Sequence, residues 1–158
     1  MSSQRSSPAQ RASRLAGTGP ALHPASPAHR RVVVAGLAAA AASVAADMVL
    51  ATIGQAAFTV PASFGKFSFW TYALLAVAGG AGAAVTWAAV TRLSSRPEWL
   101  FTRLAALATA VFLIPDFLLV GTPGNPTGPV VVLMLMHLAS AVITYTTLIK
   151  VAPVRGGA

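Results

Sequence analysis

The sequence contains no cysteine, which excludes disulfides, thiolate metal centres, iron–sulfur clusters and a cysteine nucleophile. Acids are nearly missing: in 158 residues only Asp47, Glu98 and Asp116 carry a side-chain carboxylate. Charged residues make up 9% of the chain, where an ordinary soluble domain carries about 25%. A soluble protein needs a charged surface to stay dissolved. This shortage, beside a hydrophobic content of 56%, points to a surface that faces lipid. There is no P-loop and no Gly-x-Ser-x-Gly elbow, so nucleotide chemistry and serine-type catalysis lack their usual signatures. The run Gly79-Gly80-Ala81-Gly82 lies inside an apolar segment, where a phosphate would not go. The apolar runs show no strict alternation, which argues against a transmembrane barrel.

What is present is four apolar segments, at about residues 32–53, 67–90, 99–120 and 130–149. A helix needs about 20 residues to cross a hydrocarbon core about 30 Å thick. The connections are rich in helix breakers: Gly121-Thr-Pro-Gly-Asn-Pro-Thr-Gly-Pro129 before the fourth segment, and Pro61 and Gly65 before the second. Ser95 and Glu98 fit a capping box for the third helix, with Pro97 in its first turn. The fold expected is all-α, a bundle of four transmembrane helices spanning residues 31–150. Residues 1–30, rich in Ser, Pro and Ala with Arg5, Arg11 and Arg14, read as a disordered basic tail suited to anionic lipid. Residues 151–158 form a short second tail.

The net charge of +8 would suggest nucleic acid in a soluble protein. Here the basic residues lie between apolar runs, as topology determinants do, and nucleic acid is not expected as a partner. With the N-terminus inside, ten of the eleven basic residues fall on one side and only Lys66 on the other. Both termini are therefore expected in the cytoplasm and the chain in the cell membrane. Trp70 then marks the outer interface, and Trp87 and Trp99 the inner one. Arg30-Arg31 ahead of Val32-Val33-Val34 resembles a twin-arginine leader, with 43–46 as its cleavage region. The apolar run continues to Ile53 and three further spans follow, so a retained first helix is expected.

Each segment carries small or polar residues three and four apart, a spacing that places them on one helix face. They are Gly36, Ala40, Ser43, Asp47, Ala51 and Gly54 in the first, and Ser68, Thr71, Gly79, Gly82 and Thr86 in the second. Thr102, Ala105, Thr109 and Asp116, with Phe112 between, follow in the third, and His137, Ser140, Thr144 and Thr147 in the fourth. Membrane helices associate through small residues and interhelical hydrogen bonds, so these stripes are expected to face inward. Gly79, Gly80 and Gly82 are the expected point of closest helix contact, or of contact with a second copy or another membrane protein.

Asp47, Asp116 and His137 lie on these stripes, roughly 6 to 11 Å below the outer ends of their segments at 1.5 Å per residue. Ionisable groups inside a membrane are costly and mark pathways. One reading is an outer-half polar cluster serving a small proton-linked carrier or channel, with Pro115 kinking the third helix beside Asp116. The other, preferred here, is that these groups bond each other and lock the bundle. One His and two Asp make a poor metal site, since none are spaced i, i+3 or i+4. Neither a metal nor a cofactor is expected.

The segment Ala45-Ala46-Asp47-Met48-Val49-Leu50, Pro115, and Leu135-Met136-His137-Leu138 with Ala141 together resemble a known family. It is the domain of unknown function 6069, small four-helix membrane proteins of actinobacteria. The resemblance covers about residues 31–149. It implies a membrane location and four helices but no activity. In that family the polar position of the first helix is often an amide, from which Asp47 departs. The expectation is an uncharacterised, non-enzymatic, multi-pass membrane component with a structural or partner-binding role.

Overall fold

The computed structural model describes residues 26–154. The tail expected over 1–30 lies outside the described residues up to residue 25, and the one expected over 151–158 does so from residue 155. Four long helices follow in order: α1 (His29–Ala57), α2 (Phe69–Leu93), α3 (Pro97–Leu119) and α4 (Thr127–Val151). The described residues contain no strand. All four helices are long and apolar enough to cross a membrane. Even the shortest, α3 at 23 residues, spans about 35 Å at 1.5 Å per residue.

The boundaries follow from local chemistry. α1 closes where the Phe58 N–H donates to the Gly54 carbonyl at 3.1 Å and the chain turns extended ahead of Pro61. A short 3-10 turn at Gly65–Phe67 then reverses it into α2. Pro97 opens α3 at its first position, where its missing N–H costs nothing. The capping box expected from Ser95 and Glu98 does not form. A residue before proline is pushed out of the helical region, so Arg96 becomes the cap residue with φ −129° and no side-chain cap bond. Ser94 Oγ instead accepts from the Arg96 N–H at 3.1 Å. Gly121 and Gly124, at φ +71° and +78°, make the turn into α4, a backbone region that favours glycine.

α1 is the centre of the bundle, packed most extensively against α4 and next against α2, while α3 leans mainly on α4. Two apolar clusters hold the ends. At the end carrying Arg31, Arg92 and Lys150, Trp87 and Leu148 are fully buried beside Val32, Val90 and Phe101. At the opposite end, Phe64, Phe67, Tyr72, Val130 and Met136 close around Ala51. Phe64 and Phe67 meet there edge to face at 5.1 Å.

The α1 stripe faces inward along its whole length, from Gly36 to Gly54. The α2 stripe does not. Ser68, Thr71, Gly79 and Gly82 face outward, and no atom would lie within 4 Å of a Cβ at Gly79 or Gly82. Closest contact falls on Gly80 alone, where a Cβ would stand 3.3 Å from Ala40 Cβ, and on Gly36 opposite Ala84. The large residues decide this rotation. Tyr72 and Trp87 both need burial, and Ala76, Gly80 and Ala84 share their face at helical spacing. One residue further along a helix is a turn of about 100°, which carries Gly79 out. Trp87 is likewise no interfacial anchor. It is fully buried, and its Nε1–H donates to the Ala152 carbonyl at 3.0 Å. Trp70 and Trp99 are exposed.

α3 is the least embedded helix, buried only at Pro97, Phe101 and Asp116. Phe112 points away from the bundle and Leu113 takes the inward position. Thr102 is exposed to the outside yet lies 2.7 Å from the Tyr145 hydroxyl of α4.

Candidate functional site

Asp47 and Asp116 are buried, at 5% and 4% exposure, in a chain whose helices are built for lipid. A buried carboxylate must be paired, hydrogen-bonded or neutral. Each acid is served from α4, by residues three apart and so on one face of that helix. His137 Nδ1 stands 2.9 Å from Asp116 Oδ2. Ser140 Oγ stands 3.2 and 3.1 Å from the two oxygens of Asp47. α4 is thus the polar hub, joining α3 through His137 and α1 through Ser140.

The His137 ring also lies 3.1 Å from the Leu133 carbonyl, one turn back on its own helix. A carbonyl only accepts, so Nδ1 carries the hydrogen. One N–H cannot point along both lines. It is aligned on the carbonyl, and Asp116 Oδ2 has a close nitrogen but no aligned hydrogen bond. The 2.9 Å approach of His137 to Asp116 is therefore an ion pair only when the ring carries its second proton. The His137 side chain keeps 29% of its surface open, so the cluster has one edge outside the protein.

Pro115 sits within α3 directly beside Asp116. A proline ring cannot donate to the carbonyl four residues back, here that of Val111. The helix runs on through it to Leu119. In the connections at this end, Lys66 Nζ donates to Asn125 Oδ1 at 2.8 Å, tying the loop after α1 to the loop before α4. Ser43, one turn from Asp47 along α1, is 1% exposed, and its hydroxyl has no hydrogen-bond partner among the described residues.

Of the residues singled out in the sequence, the structure pairs Asp116 with His137 and sets Asp47 against Ser140, a partner that depth alone did not reveal. Ser140 was visible only as a member of the α4 stripe. Among the described residues, no three of His, Asp and Glu come together as a metal site requires. The arrangement can hold helices together, and it can hold protons.

The sequence profile of a family of unknown function, DUF6069, matches residues 24–153, which includes all four helices and every residue of the cluster. The chain belongs to DUF6069. No curated protein matches it, and no solved structure does. With four helices long and apolar enough to cross a membrane, this DUF6069 member is a multi-pass membrane protein of unknown function, and its polar contacts lie inside the matched region.

Proposed function

We propose that this DUF6069 chain is a non-enzymatic component of the cell membrane that works by packing against a second copy or another membrane protein. Both of its termini lie in the cytoplasm in this reading, supported by the ten-to-one bias of Lys and Arg. One observation carries the role. The intramembrane polar groups are engaged between the chain's own helices, while the small residues Gly79 and Gly82 are left facing out with open space beside them. Small residues on a lipid-facing surface allow another helix to approach closely.

A second reading, a small proton-linked carrier or channel, draws on the gathering of Asp47, Asp116 and His137 around one face of α4.

Because the chain has no cysteine, one set of single-cysteine variants in native membranes tests both. In the packing role, Gly79→Cys and Gly82→Cys form disulfide-linked species on mild oxidation, and Leu107→Cys, on the exposed face of α3, does not. Failure of both glycine positions to cross-link to anything would remove that reading. Reaction of Asp47→Cys with a membrane-impermeant thiol reagent would favour the carrier. Its silence, with Lys66→Cys reacting, would count against it.

A further inference from the structure

The charges at the cluster do not balance. Asp47 and Asp116 together bring two negative charges, and His137 can supply at most one positive charge. That charge is committed to Asp116, 2.9 Å away. Among the described residues, the titratable and charged groups toward the Asp47 end of the elements around it are His137 on α4, Asp116 on α3, Tyr72 on α2 and Lys66 in the connection after α1, while Arg92 on α2, Glu98 and Arg103 on α3, and Tyr145 and Lys150 on α4 lie toward the other end. Lys66 is bound to Asn125 in the loops. On α1 itself, the buried neighbour one turn away is Ser43, a hydroxyl and not a cation. Among the described residues, Asp47 is therefore a buried carboxyl group with no counter-ion of its own, and an unpaired charge there is far costlier than a neutral acid.

The contact with Ser140 gives the same answer from geometry. The two distances, 3.2 and 3.1 Å, run from one hydroxyl oxygen to both oxygens of Asp47. A serine hydroxyl has a single hydrogen to donate. Against an ionised carboxylate that hydrogen is shared between the two oxygens, and both distances are well beyond the roughly 2.5–2.7 Å of a charge-assisted O–H···O− bond. Against a neutral acid both contacts are made. Ser140 Oγ–H donates to the carbonyl oxygen of Asp47, and the acid O–H donates back to Ser140 Oγ.

We propose that the Asp47–Ser140 contact between α1 and α4 is a proton-binding site, in which the acid form of Asp47 is the one the contact holds and no metal cation takes its place. The site stands whether the chain acts by packing or by carrying protons, because it rests only on the contacts within one copy. His137 lies three residues before Ser140 on α4, with part of its side chain open.

The test uses the full chain in lipid vesicles and a hydrophobic carbodiimide, dicyclohexylcarbodiimide. A neutral acid adds across one C=N bond of this reagent, its proton going to nitrogen and its oxygen to the central carbon. The adduct rearranges to an N-acylurea with nothing lost, so the residue gains the mass of one reagent molecule. At neutral pH the reagent modifies Asp47, read by peptide mass spectrometry, while the exposed Glu98 stays unmodified. The signal disappears in Asp47→Asn and is unchanged when Na+ replaces choline at constant ionic strength. Protection by Na+ would overturn the proposal in favour of a cation site. Infrared spectroscopy on the same vesicles covers the case in which the reagent does not reach the residue. A carboxylic-acid C=O band present in the wild type is lost in Asp47→Asn, a neutral isostere that keeps the fold. Identical spectra in this region would overturn the proposal.

Discussion

The α1–α2 seam offers the sharpest test of the packing, because three neighbouring glycines of α2 and one of α1 are predicted to respond differently to the same added methyl. At Gly36 a Cβ would stand 3.0 Å from Ala84 Cβ. Carbon atoms in good contact stand about 3.5 to 4.0 Å apart, and neither methyl can swing aside, so the helices must part. Overpacking of this kind costs about 1–3 kcal/mol. Replacing glycine by alanine also returns about 0.4–1 kcal/mol by restricting the unfolded chain. Gly36→Ala should therefore lose about 1–2 kcal/mol net. At Gly80 the nearest atom is Ala40 Cβ at 3.3 Å. A shift of a few tenths of an ångström suffices there, and Gly80→Ala should fall within about 1 kcal/mol of wild type. Gly79→Ala and Gly82→Ala meet open space and should gain up to about 1 kcal/mol. Reversible unfolding in mixed micelles, or steric trapping in bicelles, reads these differences. Ala84→Gly removes the methyl that the new Cβ of Gly36→Ala would strike, so the double variant should recover most of the loss. If Gly36→Ala and Gly82→Ala behave alike, or if Ala84→Gly fails to rescue, the helix rotation described here is wrong.

Two further predictions concern the contacts across α4 and at the basic end. A double-mutant cycle on Asp116→Ala and His137→Ala should give a coupling of about 0.6–1.7 kcal/mol, the range for interhelical polar contacts in membranes. Faster amide exchange over residues 110–119 should accompany Asp116→Ala, and zero coupling with unchanged exchange would mean that the pair does not hold α3. Trp87→Phe removes the Nε1–H that satisfies the Ala152 carbonyl. It should cost about 1–3 kcal/mol for the buried group left unpaired, seen as a lower melting temperature, and an unchanged one would refute the bond.

How much of this was legible along the chain differs from helix to helix. In α1 the inward face could be read directly, because Ser43 and Asp47 are the polar residues of an alanine-rich run and Gly36 and Gly54 continue their spacing. In α2 the small residues at 79, 80 and 82 occupy both faces, so small size alone could not say which one packs. The answer lay in Tyr72 and Trp87, whose bulk sets the rotation. In α3 the exposed face is almost as apolar as the inward one, as a helix bathed in lipid allows, and Phe112 was indistinguishable from Leu113. The start of α3 departs from the capping-box expectation because Pro97 pushes Arg96 out of the helical region and makes it the cap residue.

The sequence by itself determined the apolar surroundings, the helix count and the place of the charged residues along each helix. Long apolar runs, few acids and breaker-rich connections leave a chain little choice in lipid, where every backbone group must be bonded within its own helix. It determined too that Asp47, Asp116 and His137 lie near one end, since rise per residue converts position into depth. Only the tertiary structure decided which of them meet. Contact depends on the rotation of each helix about its axis and on which helices are neighbours. Both are settled by the packing of bulky side chains far from the cluster. That packing set His137 against Asp116, and it set Asp47 against the Ser140 hydroxyl.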